Sequence, residues 1–387
     1  MIFSGIICSY YVYILRDFNY FSNRANLTHM KLFKIDHLDP MGQGVFKQND
    51  QVYFIPKTLP GESGYLKVLK RTKGVNFAKV DSLDKKSQIR VEPICSHFHE
   101  CPGCHYLHTD YINEIEFKKL SYQKVFSKFN LNIQEVNVIQ SPNRVEYRNR
   151  IQLHYNITQN KIGFIDAREK KIISVPNCII MNQEVKKSYQ VLLSNWQNLV
   201  PKKYPKGHVE IYHTADGVKT SWNRPYAEAG FSQVNEAVNQ LMKKAISDFF
   251  PKQINGLLDL FGGNGNLSNA LNYTRRVCVD HYKAPSDEFY HLDLFADNAL
   301  EKFNNENENS FETIILDPPR SGFKNLSQWL EHFNPKEVLY VSCHPSTQAR
   351  DLLNIPPHYK ITSFYLIDLF PSTHHYESMI KLTNIKL

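Results

Sequence analysis

The spacing of apolar residues changes twice along the chain. Between residues 31 and 92, short runs alternate apolar and polar positions: QVYFIP (51–56), YLKVLK (65–70) and VNFAKVD (75–81). Turn sequences separate them, around Gly42 and Gly44 and at LPGE (59–62). A period of two predicts half-buried strands, and several such strands in so short a span predict a small OB-like β-barrel. From 111 to 130 the period lengthens, with Tyr122, Val125, Phe126 and Phe129 on one helical stripe. Strand patterns return at VEYRNRIQLHYN (145–156), KIGFIDA (161–167) and KIISV (171–175).

From about residue 230 the pattern becomes an alternation of helix and strand. Val234, Val238, Leu241, Met242, Ala245 and Phe249 predict an amphipathic helix. GLLDL (256–260), RVCVD (276–280), TIILD (313–317) and VLYVS (338–342) read as strands, with a last pair near 361–369 and 378–383. Apolar strands alternating with helices predict a parallel sheet covered on both faces, hence an α/β domain. The expected organisation is an extension (1–29), a barrel (30–92), a central α+β domain (93–229) and the α/β domain (230–387).

The extension begins with fifteen uncharged residues, MIFSGIICSYYVYIL. That is short of the ~20 a membrane span requires, and it lacks the basic start and cleavage site of a secretory signal. Residues 1–29 are therefore expected to be dispensable, with translation starting nearer Met30, and the protein to be soluble and not membrane-bound. A chain of 387 residues needs more than one core, and 42% apolar with 22% charged residues excludes disorder. Charge changes the picture little: 46 basic against 38 acidic residues give +8, which permits a polyanionic partner without requiring one. Lys47, Lys57, Lys67, Lys70, Arg71 and Lys73 do crowd the barrel. Cysteine changes it more. Seven are too few for a disulfide scaffold, and their clustering predicts metal binding or catalysis in a reducing compartment, the cytoplasm.

Candidate chemistry gathers at the ends of the α/β strands. In LLDLFGGNGN (257–266) a strand runs into a glycine-rich turn and a helix start, an arrangement that lets backbone approach a nucleotide. Asp280, at the end of the next strand, suits ribose hydroxyls, and Asp259 can face a cationic ligand. No GKS or GKT follows, so S-adenosylmethionine fits better than a nucleoside triphosphate. LDPPRSG (316–322) stiffens another strand end with two prolines. In VLYVSCHPST (338–347), Cys343 stands at a strand tip beside a helix N-terminus, where a lowered pKa and partial exposure are expected. DLFPSTHHYES (368–378) offers Glu377 and His375 as bases. A thiol nucleophile, a base and a methyl donor together suit methylation of uracil C5, because thiolate addition at C6 makes C5 nucleophilic.

FSQVN (231–235), DLFGGNGN (259–266), DPPRSG (317–322), YVSCHP (340–345) and FPSTHHYES (370–378) occur in one order. In these motifs, from about residue 31 onward, the chain resembles the RNA 5-methyluridine methyltransferases, in the branch acting on 23S rRNA. The resemblance implies a class I (Rossmann-like) methyltransferase domain with Cys343 as nucleophile and Glu377 as base. It also implies S-adenosyl-L-methionine contacts from Gln233, Phe261, Asn266, Asp280 and Asp293, and an active-site carboxylate at Asp317. Cys95, Cys101 and Cys104, spaced C-x5-C-x2-C, and the distant Cys178 form a four-thiolate set that suits zinc or a [4Fe–4S] cluster equally. The resemblance implies the iron–sulfur cluster, and reads the barrel as a TRAM module.

The expected partner is structured RNA bound by a monomer, with Tyr147, Arg148 and Arg150 as RNA contacts. Two other readings remain open at this stage: a tRNA 5-methyluridine methyltransferase, and an inactive cluster-bearing RNA-binding protein. Three departures from the family pattern bear on them. Pro102 replaces a usual Gly, His344 a usual Asn, and only ten residues separate Asp280 from His291, short for a parallel crossover.

Overall fold

The computed structural model describes residues 31–166, 170–224, 233–281, 288–307 and 310–386; the extension read at 1–29 lies outside them. The first six strands are β1 (Lys31–Lys34), β2 (His37–Leu38), β3 (Gln43–Gln48), β4 (Gln51–Pro56), β5 (Ser63–Thr72) and β6 (Val75–Lys85). They form one sheet in the order β1-β5-β6-β4-β3-β2. Alternation does what the sequence predicts: in β5, Leu66 and Val68 are buried while Lys67 and Lys70 face out. Leu66, Val68, Phe33, Tyr53 and Ile55 make a small separate core.

A thiol-bearing loop (93–110) leads into α1 (Tyr111–Ser127), capped by the Asp110 side chain on the Asn113 amide. Then β7 (Asn137–Ile139) crosses to the large sheet described below. β8 (Arg150–Asn156), β9 (Lys161–Asp166), β10 (Lys171–Ile173), β11 (Lys206–Thr214) and β12 (Gly217–Trp222) form an antiparallel sheet in the order β10-β9-β8-β11-β12. Helix α2 (Gln183–Leu199) buries Val185, Tyr189, Leu192 and Trp196 in the same core. The strand expected from residue 145 begins only at Arg150. Ahead of it, Arg148 bridges instead to Met181 and Asn235, stitching this domain to the next.

Helix α3 (Glu236–Phe249) opens the α/β domain. Its stripe is rotated from the expectation: Val238, Met242 and Ile246 are buried, whereas Leu241 is 41% exposed. The strands β13 (Ile254–Leu260), β14 (Tyr273–Asp280), β15 (Phe289–His291), β16 (Thr313–Leu316), β17 (Glu337–Ser342), β18 (Tyr359–Ile367) and β19 (Glu377–Asn384) follow. Their order is β15-β14-β13-β16-β17-β19-β18-β7, with β13 to β17 parallel and β19 antiparallel to both neighbours. Successive side chains of β13 serve opposite faces: Leu258 joins a core with Tyr122 and Phe126 of α1, and Leu257 one with Val238 and Met242 of α3. The short crossover still yields a parallel pair, Asp280 beside His291. The helix expected after the glycine-rich turn is a single 3₁₀ turn, Ser268–Ala270, because β14 begins again at Tyr273. Chain order reverses on either side of β13, which opens a crevice at the strands' carboxyl ends.

Candidate active site

Cys343 follows the last residue of β17, and Pro345 is the first residue of helix α4 (Pro345–Leu352). Between them, His344 caps the helix: its Nδ1 accepts from the Thr347 amide at 3.3 Å. Burial, then Arg320 and Arg350, lower the ring's pKa to about 4, so it stays neutral and can accept. The imidazole thus does the capping work of an Asn.

The antiparallel register pairs Ser342 with Ser378, which sets Cys343 opposite Glu377 at the start of β19. Asp317 stands just past β16, the other neighbour of β17. Burial, then the neighbouring Glu377 and Asp317, push the Cys343 thiol up to about 12; Arg320 opposes this with a hydrogen bond. The lowered thiol pKa expected from the helix N-terminus is therefore wrong. Two facing carboxyl groups and desolvation outweigh a helix end worth about 1 kcal/mol. The expected partial exposure holds. Cys278, by contrast, is fully buried in β14.

Glu377 is held well above the usual carboxylate range by burial and then by Asp317, against Arg320. Burial and then Asp259 raise Asp317. Asp259 itself lies at about 6, raised by burial and partly offset by Ser268, Arg276 and Cys278. These carboxyls form one electrostatic chain along the sheet edge. Arg320, inside DPPRSG, is the cation beside Cys343 and Glu377, a role that the local pattern of that motif does not single out.

The residues expected around the methyl donor lie along the same edge. Phe261 adopts φ +59°, an unfavourable conformation for a bulky residue, with its ring between Phe295 at 5.4 Å and Phe323 at 5.1 Å. Gly262 has to be glycine, since a Cβ there would stand 2.7 Å from the Asp259 carboxyl carbon. Asp280 accepts from the Gly263 amide at 3.0 Å, tying the turn to β14. Asp293 is exposed and accepts from the Phe295 amide at 3.0 Å, so it fixes the ring that packs on Phe261. Asn266 exchanges hydrogen bonds with Asn239 of α3, at 3.0 and 3.2 Å. Gln233 is buried just before α3, its carbonyl accepting from the Asn149 side chain at 3.0 Å.

Comparison with known proteins agrees with this geometry. The family model tRNA (Uracil-5-)-methyltransferase matches residues 296–385, the span that holds Asp317, Cys343 and Glu377. The 23S rRNA (uracil(1939)-C(5))-methyltransferase RlmD of Shewanella frigidimarina is 26% identical, over 92% of this chain and 97% of its own length. The RlmD of Aliivibrio fischeri is 27% identical over 92% and 96%. The chain is thus similar to RNA uracil-C5 methyltransferases along nine-tenths of its length. A crystal structure of the Pyrococcus abyssi tRNA (uracil-54, C5)-methyltransferase, in complex with S-adenosyl-L-homocysteine, shares the fold. Its TM-score is 0.69 at 21% identity, covering 91% of this chain and 99% of that one.

Two sets of residues lie away from the edge. Cys101, Cys104 and Cys178 share a core against which Cys95 packs. Cys104 is driven up by burial and then by the fields of Cys178, Cys101 and Cys95. Among the described residues no three His, Cys, Asp or Glu are grouped as ligands of a metal ion. The all-sulfur donor set fits a thiophilic group. Of the expected RNA contacts, Tyr147 and Arg150 are buried: Tyr147 donates to the Pro371 carbonyl, and Arg150 pairs with Glu210 at 3.5 Å. Among the described residues no helix is long and apolar enough to cross a membrane.

Proposed function

We propose that the enzyme methylates C5 of a uridine in 23S rRNA, with Cys343 as nucleophile and Glu377 as base. The observation that carries this reading is the β17–β19 register, which sets the thiol opposite the buried carboxyl with Arg320 on the thiol. The flipped-out base meets Cys343, whose thiolate adds to C6 and shifts the electron pair toward C5 and the C4 carbonyl. S-adenosylmethionine, when bound, supplies the methyl group to C5 as its sulfonium carbon–sulfur bond breaks. Glu377 then removes the C5 proton, the C5–C6 double bond re-forms and the Cys343 thiolate leaves. Both groups hold protons in the free protein. Arg320 favours the thiolate, and a sulfonium beside Asp259 and Asp317 favours ionised carboxylates. Phe261, Asp280, Asp293, Asn266 and Gln233 would hold the donor.

The test separates the two roles. Cys343→Ala should form no covalent RNA adduct and transfer no methyl group, whereas Glu377→Gln should accumulate a methylated adduct that survives denaturing electrophoresis. Methyl transfer by Cys343→Ala overturns the reading. Mapping 5-methyluridine in rRNA and tRNA, with and without the gene, decides the substrate.

Cys95, Cys101, Cys104 and Cys178 would hold a [4Fe–4S] cluster, whose chemistry here is to cross-link the thiol loop to the segment at Cys178. Anaerobic purification should yield about four irons per chain; one zinc and no iron would refute it. Residues 30–92 act as a TRAM module whose exposed Lys47, Lys67, Lys70, Arg71 and Lys73 meet phosphates. Lys57 has another task, donating to the Cys101 carbonyl at 2.9 Å and so joining barrel to thiol loop. Deleting the module should flatten the salt dependence of RNA binding.

A further inference from the structure

The segment that delivers Glu377 does not hold its own shape. Residues 368–376 run between β18 and β19 without regular structure, and Ser372 within them has φ +67°. What holds them is α1, an element from the middle of the chain. Fully buried Lys118 bonds Asp368 at 2.6 Å and the Phe370 carbonyl at 3.2 Å, and Glu114 accepts from the Ser372 amide at 2.6 Å.

The helix also grips both neighbours of the base. Tyr122 Oη lies 2.9 Å from Ser378 Oγ, and Ser121 Oγ lies 3.4 Å from Tyr376 Oη; both pairs are buried. Successive strand side chains point to opposite faces, so pinning Ser378 on the α1 face fixes the roll of β19. That roll sets where the Glu377 carboxyl points.

We infer that Tyr122 is a positioning residue for the base, acting through Ser378, so that α1 governs proton abstraction separately from nucleophilic attack. This rests on the assignment of Glu377 as base. Cys343 follows β17 and precedes α4, and none of these hydrogen bonds reaches it, so its attack on C6 does not depend on the Tyr122–Ser378 bond.

The test is a single-turnover experiment on the full-length enzyme with RNA and labelled S-adenosylmethionine, following adduct formation and adduct decay separately. Tyr122→Phe keeps the ring and removes only the hydroxyl. It should slow adduct decay about tenfold, as expected for a base moved by a fraction of an ångström, and leave adduct formation within about twofold. Ser378→Ala should do the same, and the double variant should be no slower than either single one, because all three lack the same bond. Unchanged decay in Tyr122→Phe overturns the inference. So does an equal fall in formation and decay, which would mean general loosening of the fold. Glu377→Gln run alongside distinguishes the failures: if it accumulates no adduct, the assignment of the base is at fault rather than its positioning.

Discussion

Two groups of buried carboxyls lie along the same domain, and their partners differ. Glu114 and Asp368 are fully buried beside Lys118, at 2.8 and 2.6 Å. Arg144 adds a second cation to Glu114 at 2.8 Å, and Tyr111 donates to Asp368 at 2.7 Å. Burial alone would lower the Lys118 pKa, but Asp368 and Glu114 outweigh it and raise it. Every charge there has a partner. At the strand edge, Asp317 stands between Asp259 and Glu377, with Arg276 near the first and Arg320 near the last, and burial drives all three upward. The difference teaches which cluster builds and which reacts. Matched charges hold a loop in place; unmatched ones are poised to change protonation when a cation and a substrate arrive.

The sharpest way to break this contrast is to remove one partner from the matched set. Lys118→Met should cost about 3–5 kcal/mol, the usual penalty for stranding a buried counter-charge, read as a shift in denaturant midpoint. Neutralising the carboxylates as well, in Lys118→Met with Glu114→Gln and Asp368→Asn, should recover much of it. A loss below about 1 kcal/mol for Lys118→Met would put the network in the class of weak surface pairs.

The unmatched set should respond to pH. Asp259 rises from 3.8 to about 6 on folding, so the folded state keeps a proton that the unfolded chain releases. Its contribution to stability is complete below pH 3.8 and is lost as pH rises through about 6. The stability difference between the wild-type protein and Asp259→Asn should therefore change by about 2–3 kcal/mol between pH 4 and 7, with the wild type losing ground. A flat difference would place Asp259 among the paired carboxylates.

The smallest effect is the most discriminating. Glu377→Gln replaces a carboxyl whose charged form burial disfavours with a neutral group of the same shape, so thermal unfolding at pH 7 should move by less than about 1 kcal/mol. Glu114→Gln should cost about 1.5–3 kcal/mol, since it strips the charge from hydrogen bonds to Lys118 and Arg144. Equal losses would erase the distinction.

Much of the site was legible in the sequence because it is built at strand ends, and strand ends show as breaks in local periodicity. Phe261, Asp280, Asp317, Cys343 and Glu377 all stand within a residue or two of such a break. The succession of strands along the chain, the stripe on α1 and the alternation in β5 follow equally from spacing between near neighbours. What spacing could not convey is which distant groups face each other. Glu114 and Lys118, four residues apart on α1, are both fully buried, because Asp368 arrives from the far end of the chain. Arg150 read as an RNA contact until Glu210 came beside it. The protonation of Cys343 was inferred from one helix end, whereas its sign is set by Glu377 on β19 and Asp317 after β16. The sequence by itself determined which candidate residues stand at the strand ends and on which elements, since both are properties of local pattern. Only the tertiary structure decided their charge states, because the field at a buried group is summed over neighbours that chain order keeps far apart.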